Sequence, residues 1–182
     1  MKSIAVVLLT LTVLGCQSAP GSYPGREDVP AYYAIPVGSE LVLNRAITVA
    51  GNTVSVFLQD GKLLAKGERD QYRPNCKFEL YTMSAQARTV EPDTFMITRL
   101  VMEDDAGIGT GFSVFAGGSL GMGGDSPSMT DYRTVMYLRS ERQRDVSRLS
   151  CQHWEDPTVA EHLRLAQIRQ ALGEIMTLTI AR

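Results

Sequence analysis

The chain of 182 residues contains two histidines, one tryptophan and three cysteines, and each scarcity removes a class of chemistry. Two imidazoles leave little material for a histidine-rich metal centre; His153 and His162, with Glu155 beside them, are weak candidates that match no zinc spacing. No serine stands in a Gly-x-Ser-x-Gly elbow, and no nucleophile is paired with a base, so no enzymatic activity is expected. A net charge of −2 supplies no basic field for nucleic acid. "GIGTG" at 107–111 lacks the strand–turn–helix setting of a phosphate-cradling loop, so no cofactor is expected. Long hydrophobic runs are also scarce. Mean hydropathy is near zero, which argues against repeated crossing of a bilayer.

The one long apolar run lies at the start. After Lys2, the stretch from Ile4 to Gly15 is uncharged over 12 residues, the length of a signal-peptide core and well short of a membrane-spanning helix. It leads into Val13-Leu14-Gly15-Cys16, with an aliphatic residue first and a small residue before the cysteine. These residues resemble the signal peptide and lipobox of Gram-negative bacterial lipoproteins. The resemblance implies cleavage after residue 15 and lipid (palmitate-type) acylation at Cys16. Several acyl chains together anchor stably, each buried methylene contributing about 0.8 kcal/mol. Gln17 and Ser18 follow, with no aspartate next to the cysteine, which in that class implies transport to the outer membrane. The domain is expected on the periplasmic side, with the cell exterior as the alternative. Removing Cys16 from the count leaves Cys76 and Cys151 in an oxidising compartment. One intramolecular disulfide is then expected, closing a loop of about 75 residues and contributing about 2–4 kcal/mol.

The next stretch, 16–38, is rich in proline and glycine and reads as a lipidated tether, reaching at most about 65–70 Å over its roughly 20 residues. Tyr32, Tyr33 and Ile35 near its end are candidates to pack on the domain. Residues 39–182 read as a single β-rich domain. Period-two alternation recurs in "ELVLN", "AITVA", "TVSVFLQ", "CKFELYTM", "TFMITRLVM", "YRTVMYLRS", "RLSCQHW" and "EIMTLTI", and Asp60-Gly61 marks a tight hairpin. In "CKFELYTM", Cys76, Phe78 and Leu80 share one face, with Lys77, Glu79 and Tyr81 on the other. This pattern predicts a mainly β fold, an antiparallel β-sandwich or barrel-like domain, with one C-terminal helical segment. That segment starts with Asp156 as cap and Pro157 at the first helical position, and it ends at Gly173. Its apolar residues form two opposed clusters, which favours a break near Arg164. Trp154, just before the cap, reads as a core anchor.

Two features concern function. "RSERQRDVSR" carries Arg139, Arg142, Arg144 and Arg148, interleaved with acids as in a solvated turn. Between Gly107 and Gly124 lie eight of the chain's 16 glycines, and Phe112, Val114, Phe115, Leu120 and Met122 lie in or beside their run. Either the segment is a plain connection, or these apolar residues meet a partner. The sequence therefore points to a non-enzymatic lipoprotein that interacts with, or scaffolds, another envelope protein. The alternative is an envelope ligand-binding sandwich for a small molecule, sugar or metal, with its pocket near His153, Glu155 and the arginines. The lipobox makes the first prediction. Cys16→Ser is expected to release the protein from the membrane fraction while its melting curve stays unchanged, as fractionation and calorimetry will show.

Overall fold

Wherever alternation runs along the chain, it becomes strand. The computed structural model describes residues 26–65, 67–108, 129–158 and 161–181. Ten strands follow one another: β1 (Glu40–Leu43), β2 (Ile47–Val49), β3 (Ser55–Gln59), β4 (Lys62–Leu64), β5 (Asn75–Leu80), β6 (Arg88–Val90), β7 (Asp93–Ile108), β8 (Met129–Arg139), β9 (Val146–Glu155) and β10 (Met176–Thr179). Two helices accompany them, α1 (Ala31–Ala34) and α2 (Leu165–Leu172). Eight strands form one curled antiparallel sheet, a half-barrel, in the order β10-β1-β7-β8-β9-β5-β3-β4, while β2 and β6 pair separately. The fold is thus the mainly β, barrel-like class with one C-terminal helical segment that the sequence predicts. β6 escaped the sequence reading because Val90 is its only apolar residue, so no alternation marks it.

The sheet has two unlike faces. On one, Cys76, Phe78, Leu149, Cys151 and Met136 are buried together with Leu41, Phe95 and Ile97. α2 covers this face with Leu165, Ile168 and Leu172. Phe78 and Phe95 meet as tilted rings 5.9 Å apart. Cys76 and Cys151 stand directly opposite each other in the β5–β9 register and are joined by a disulfide. The bridge therefore staples the two central strands from within the core.

Three boundaries differ from the sequence expectation. The first concerns the tether, of which residues 26–38 are described. Ala31, Ala34 and Ile35 are buried in the core, and the Ala31 N–H donates to the Leu163 carbonyl at 2.8 Å. The packed unit thus begins before residue 39, because alanine and isoleucine in this stretch have apolar surface to bury despite the prolines around them. Tyr33, in contrast, stays 70% exposed. The second concerns the helix start. Asp156 does not cap a helix; its carboxylate accepts from the Thr158 backbone N–H at 2.8 Å and hydroxyl at 2.6 Å, a local side-chain turn. The helix begins at Leu165, where the Gln167 side chain accepts from the Arg164 N–H at 2.8 Å. Arg164 bridges to Pro30 in extended form, so the chain before it is spent on pairing with the N-terminal segment rather than on a helical turn. The third concerns the glycine-rich stretch. β7 and β8 pair as far as Ile108 opposite Met129, and residues 109–128, including Phe112, Val114, Phe115, Leu120 and Met122, lie outside the described residues.

The β3–β4 turn rests on the end of α2. The Gly61 N–H donates to the Ala171 carbonyl at 3.1 Å, and a Cβ at Gly173 would stand 2.4 Å from the Gly61 Cα. Gly173 also has φ 54°, a conformation that side chains resist. Gly173→Ala is expected to destabilise by more than the roughly 1–3 kcal/mol of backbone strain alone. Gly38→Ala is the control, since Gly38 has φ 90° and open space around it. Urea unfolding of both variants will separate contact from strain, and equal losses would show that the glycine contact is not tight.

Candidate functional site

The face of the sheet opposite the core carries charge. Alternation in β5 sends Lys77 and Glu79 there, β9 contributes Arg148, Ser150, Gln152 and Trp154, and β8 contributes Asp131 and Arg133. These positions are neighbours across strands: Glu79 opposes Arg148, Lys77 opposes Ser150, and Arg133 opposes Gln152. With the β3–β4 hairpin, Ala65, Arg69 and Gln71 as a wall, they line a cleft of about 910 Å³. The wall is held in place by Gln59, whose side-chain amide donates to the Asp70 carbonyl at 2.8 Å and accepts from the Asp70 N–H at 3.0 Å. A bond from the Trp154 N–H to the Gln71 carbonyl, 2.8 Å, closes the far end.

The floor is two linked charge groups. Glu79 is clamped between Lys77 and Arg148, each at 2.6 Å, and the Ser150 hydroxyl donates to it at 3.4 Å. Arg133 joins Asp131, Glu103 at 3.2 Å and the Gln152 side-chain oxygen at 3.2 Å. Burial would raise the Glu79 pKa, but the hydrogen bonds and charges of Lys77 and Arg148 outweigh it, and Glu79 titrates below the ordinary range. Asp131 behaves oppositely. Its burial outweighs the contact with Arg133 and the charge of Arg69, so its carboxyl titrates above the ordinary range. One Asp131 oxygen, Oδ1, is buried without a donor among the described residues. Arg69 lies over the Phe57 ring, 4.6 Å from its centroid, and burial lowers its pKa. It has no carboxylate within ion-pair distance among the described residues.

The histidines do not join this site. His153 lies on the Cys151 side of β9, and its Nε2 is 2.7 Å from the Glu161 carbonyl. His162 meets Asp104 at 2.8 Å, and the edges of both imidazoles approach Tyr132. Glu155 instead accepts from the Asp156 N–H at 3.0 Å. Among the described residues no three metal-ligating side chains come together. His153 and Glu155, near which the sequence suggested a pocket, thus lie on the face of β9 opposite this cleft. Of the four arginines in 139–148, only Arg148 enters the cleft; Arg139 and Arg144 pair with Glu141 on the exposed β8–β9 turn, and Arg142 is at 3.6 Å from Asp93. Trp154 is not a core anchor. Its place beside Gln152 in the alternation puts it on the cleft side, edge-on to Tyr72 with ring centroids 5.8 Å apart. Arg69, Asp131, Arg133 and Glu103 were missed in the sequence. The signal that finds them is the order of outward charges on adjacent strands, which needs the strand order first.

The two carboxylates give opposite pH signatures. Glu79, with its pKa depressed on folding, stabilises fully above the unfolded glutamate range and loses this as pH falls through its lower folded pKa. Asp131, with its pKa raised, disfavours folding at neutral pH, a cost relieved as pH falls through its folded pKa. Glu79→Gln is expected to cost about 1–3 kcal/mol at neutral pH, since it leaves Lys77 and Arg148 without their counter-charge. Asp131→Asn is expected to cost less. Thermal melts between pH 7 and 3 will show the Glu79→Gln deficit shrinking towards acid; a deficit independent of pH refutes the clamp.

No protein-family model matches this chain, and no curated protein and no solved structure matches it either, so the site is read from its own residues.

Proposed function

We propose that this chain is a lipid-anchored outer-membrane protein of the Gram-negative envelope whose β domain binds a small polar ligand in the charged cleft, without turning it over. The lipobox resemblance supports the address. The cleft supports the activity, and the single observation that carries it is a recess of about 910 Å³ floored by paired charges and closed by a tethered wall. Surface charges normally face water singly; here Glu79, Asp131, Ser150 and Gln152 are buried in the floor of an open recess. Such fixed, desolvated polar groups are costly to maintain and serve to orient a ligand. Because the charges of the floor hold one another in pairs, the arrangement favours binding over proton transfer.

A second reading keeps the envelope protein partner. It is favoured by the β7–β8 ladder, which delivers the glycine-rich segment to the end of the two longest strands of the sheet. In this reading Phe112, Val114, Phe115, Leu120 and Met122 make the contact.

The two are separated by filling the cleft. Ser55 lines it from β3 and is half-buried, so Ser55→Trp occupies the recess without entering the core. The full-length protein, immobilised in non-ionic detergent, is exposed to low-molecular-weight envelope extract, and retained compounds are identified by mass spectrometry. Wild type is expected to retain a compound that Ser55→Trp does not, with both melting normally. Equal retention by the two, or none by either, refutes the cleft reading. Crosslinking of a protein partner that is lost when 107–124 is replaced by a polar linker supports the second.

A further inference from the structure

We infer that the cleft takes a small hydroxylated anion, a sugar acid or a sugar phosphate, with its acidic group on Arg69 and a hydroxyl on Asp131. The inference rests on the cleft reading above and specifies its ligand.

The charge inventory is the first ground. Four cations, Arg69, Lys77, Arg133 and Arg148, and three carboxylates, Glu79, Glu103 and Asp131, line the cleft. Lys77 and Arg148 are engaged by Glu79, and Arg133 by Asp131 and Glu103. Among the described residues, Arg69 is the cation left without a carboxylate at ion-pair distance. It sits over the Phe57 ring, held in orientation by the aromatic face and partly stripped of water. A guanidinium so placed presents its fork to a carboxylate or phosphoryl group and binds it through two parallel hydrogen bonds.

The second ground is independent of that charge. Asp131 is 2% exposed, lines the cleft, and has Oδ1 without a hydrogen-bond donor among the described residues. A buried acceptor without a donor carries a free-energy penalty that an incoming donor removes. The choice between a hydroxyl and an ammonium donor follows from the neighbours. Asp131 already touches Arg133 and lies in the field of Arg69, so a further cation meets repulsion while a neutral O–H does not. This disfavours an amino acid or a polyamine.

The third ground is the walls. Trp154, Phe57 and Leu64 bring apolar surface to the cleft around the polar floor, where Ser150 and Gln152 offer both donors and acceptors. A carbon skeleton bearing several hydroxyls suits such a surface, since its C–H faces pack on apolar side chains while its edges reach planar polar groups.

Calorimetric titration of the full-length protein in non-ionic detergent tests the class, with glucuronate, glucose 6-phosphate, glucose, inorganic phosphate and alanine as probes. At least one of the two anionic sugars is expected to bind, with glucose, inorganic phosphate and alanine each weaker by about tenfold or more. Which anionic sugar binds distinguishes carboxylate from phosphoryl recognition. Arg69→Met is expected to weaken the anionic sugar by about tenfold and leave glucose unchanged, with Arg69→Lys intermediate. Asp131→Asn is expected to weaken both sugars. Melting curves confirm that each variant is folded, and Arg69→Lys serves if Arg69→Met is not. The inference is overturned if neither anionic sugar binds, if glucose or phosphate alone binds as tightly, or if Arg69 variants bind unchanged. A compound retained by wild type but not by Ser55→Trp that lacks an acidic group or hydroxyls overturns this inference alone and leaves the cleft reading standing.

Discussion

Strand register in β5, β8 and β9 is the constraint on which both halves of the molecule depend. Side chains alternate with a period of two, so every residue that reaches the core fixes a neighbour that faces the cleft. Cys76 and Phe78 inward place Lys77 and Glu79 outward; Leu149 and Cys151 inward place Arg148, Ser150 and Gln152 outward. A slip by one residue in β9 would drive Arg148 towards Phe78 and turn Cys151 towards water. The disulfide forbids that slip, because it can form only when Cys76 and Cys151 oppose each other. The same covalent bond that strengthens the core therefore also sets the alignment of the charges behind it.

Within the cleft, the two charge groups obey different balances. Around Glu79, favourable contacts exceed the cost of burial, and the group is a structural clamp across two strands, β5 and β9. Around Asp131, burial exceeds the contacts, and the group holds unrelieved cost. Proteins tend to retain such costs at sites that a ligand completes, since strain and unsatisfied polarity are otherwise removed. The contrast separates the residues that build the floor from those that face what lies on it.

Alternation makes most strands legible in the sequence alone, along with the Asp60-Gly61 turn that places Gln59 opposite Lys62. It also put Cys76 and Cys151 at inward positions of their strands. It was blind to what depends on distant segments. Ala31 and Ile35 sit among prolines, and their burial follows from Leu163 and Leu165, more than 120 residues away, arriving to cover them. Asp156 looked like a helix cap because Asp-Pro is a common start, yet its carboxylate is satisfied by Thr158 within two residues. Trp154 looked like a core residue because tryptophan is large and apolar; the parity of its position was the better guide. The cleft was illegible for a plainer reason. Asp131, Arg133, Glu79 and Arg148 lie on three strands, and only the order β8-β9-β5 brings them together.

The burial of Ala31 and Ala34 changes the length of the leash. For a chain fixed to a bilayer at Cys16, the buried core begins at Ala31 and not beyond Gly38. Fifteen residues extend to at most about 50–54 Å, roughly three-quarters of the reach that the proline-rich composition suggests. Accessible volume scales with the cube of reach, so such an anchor would leave the domain less than about half of the space and raise its effective concentration near the bilayer accordingly.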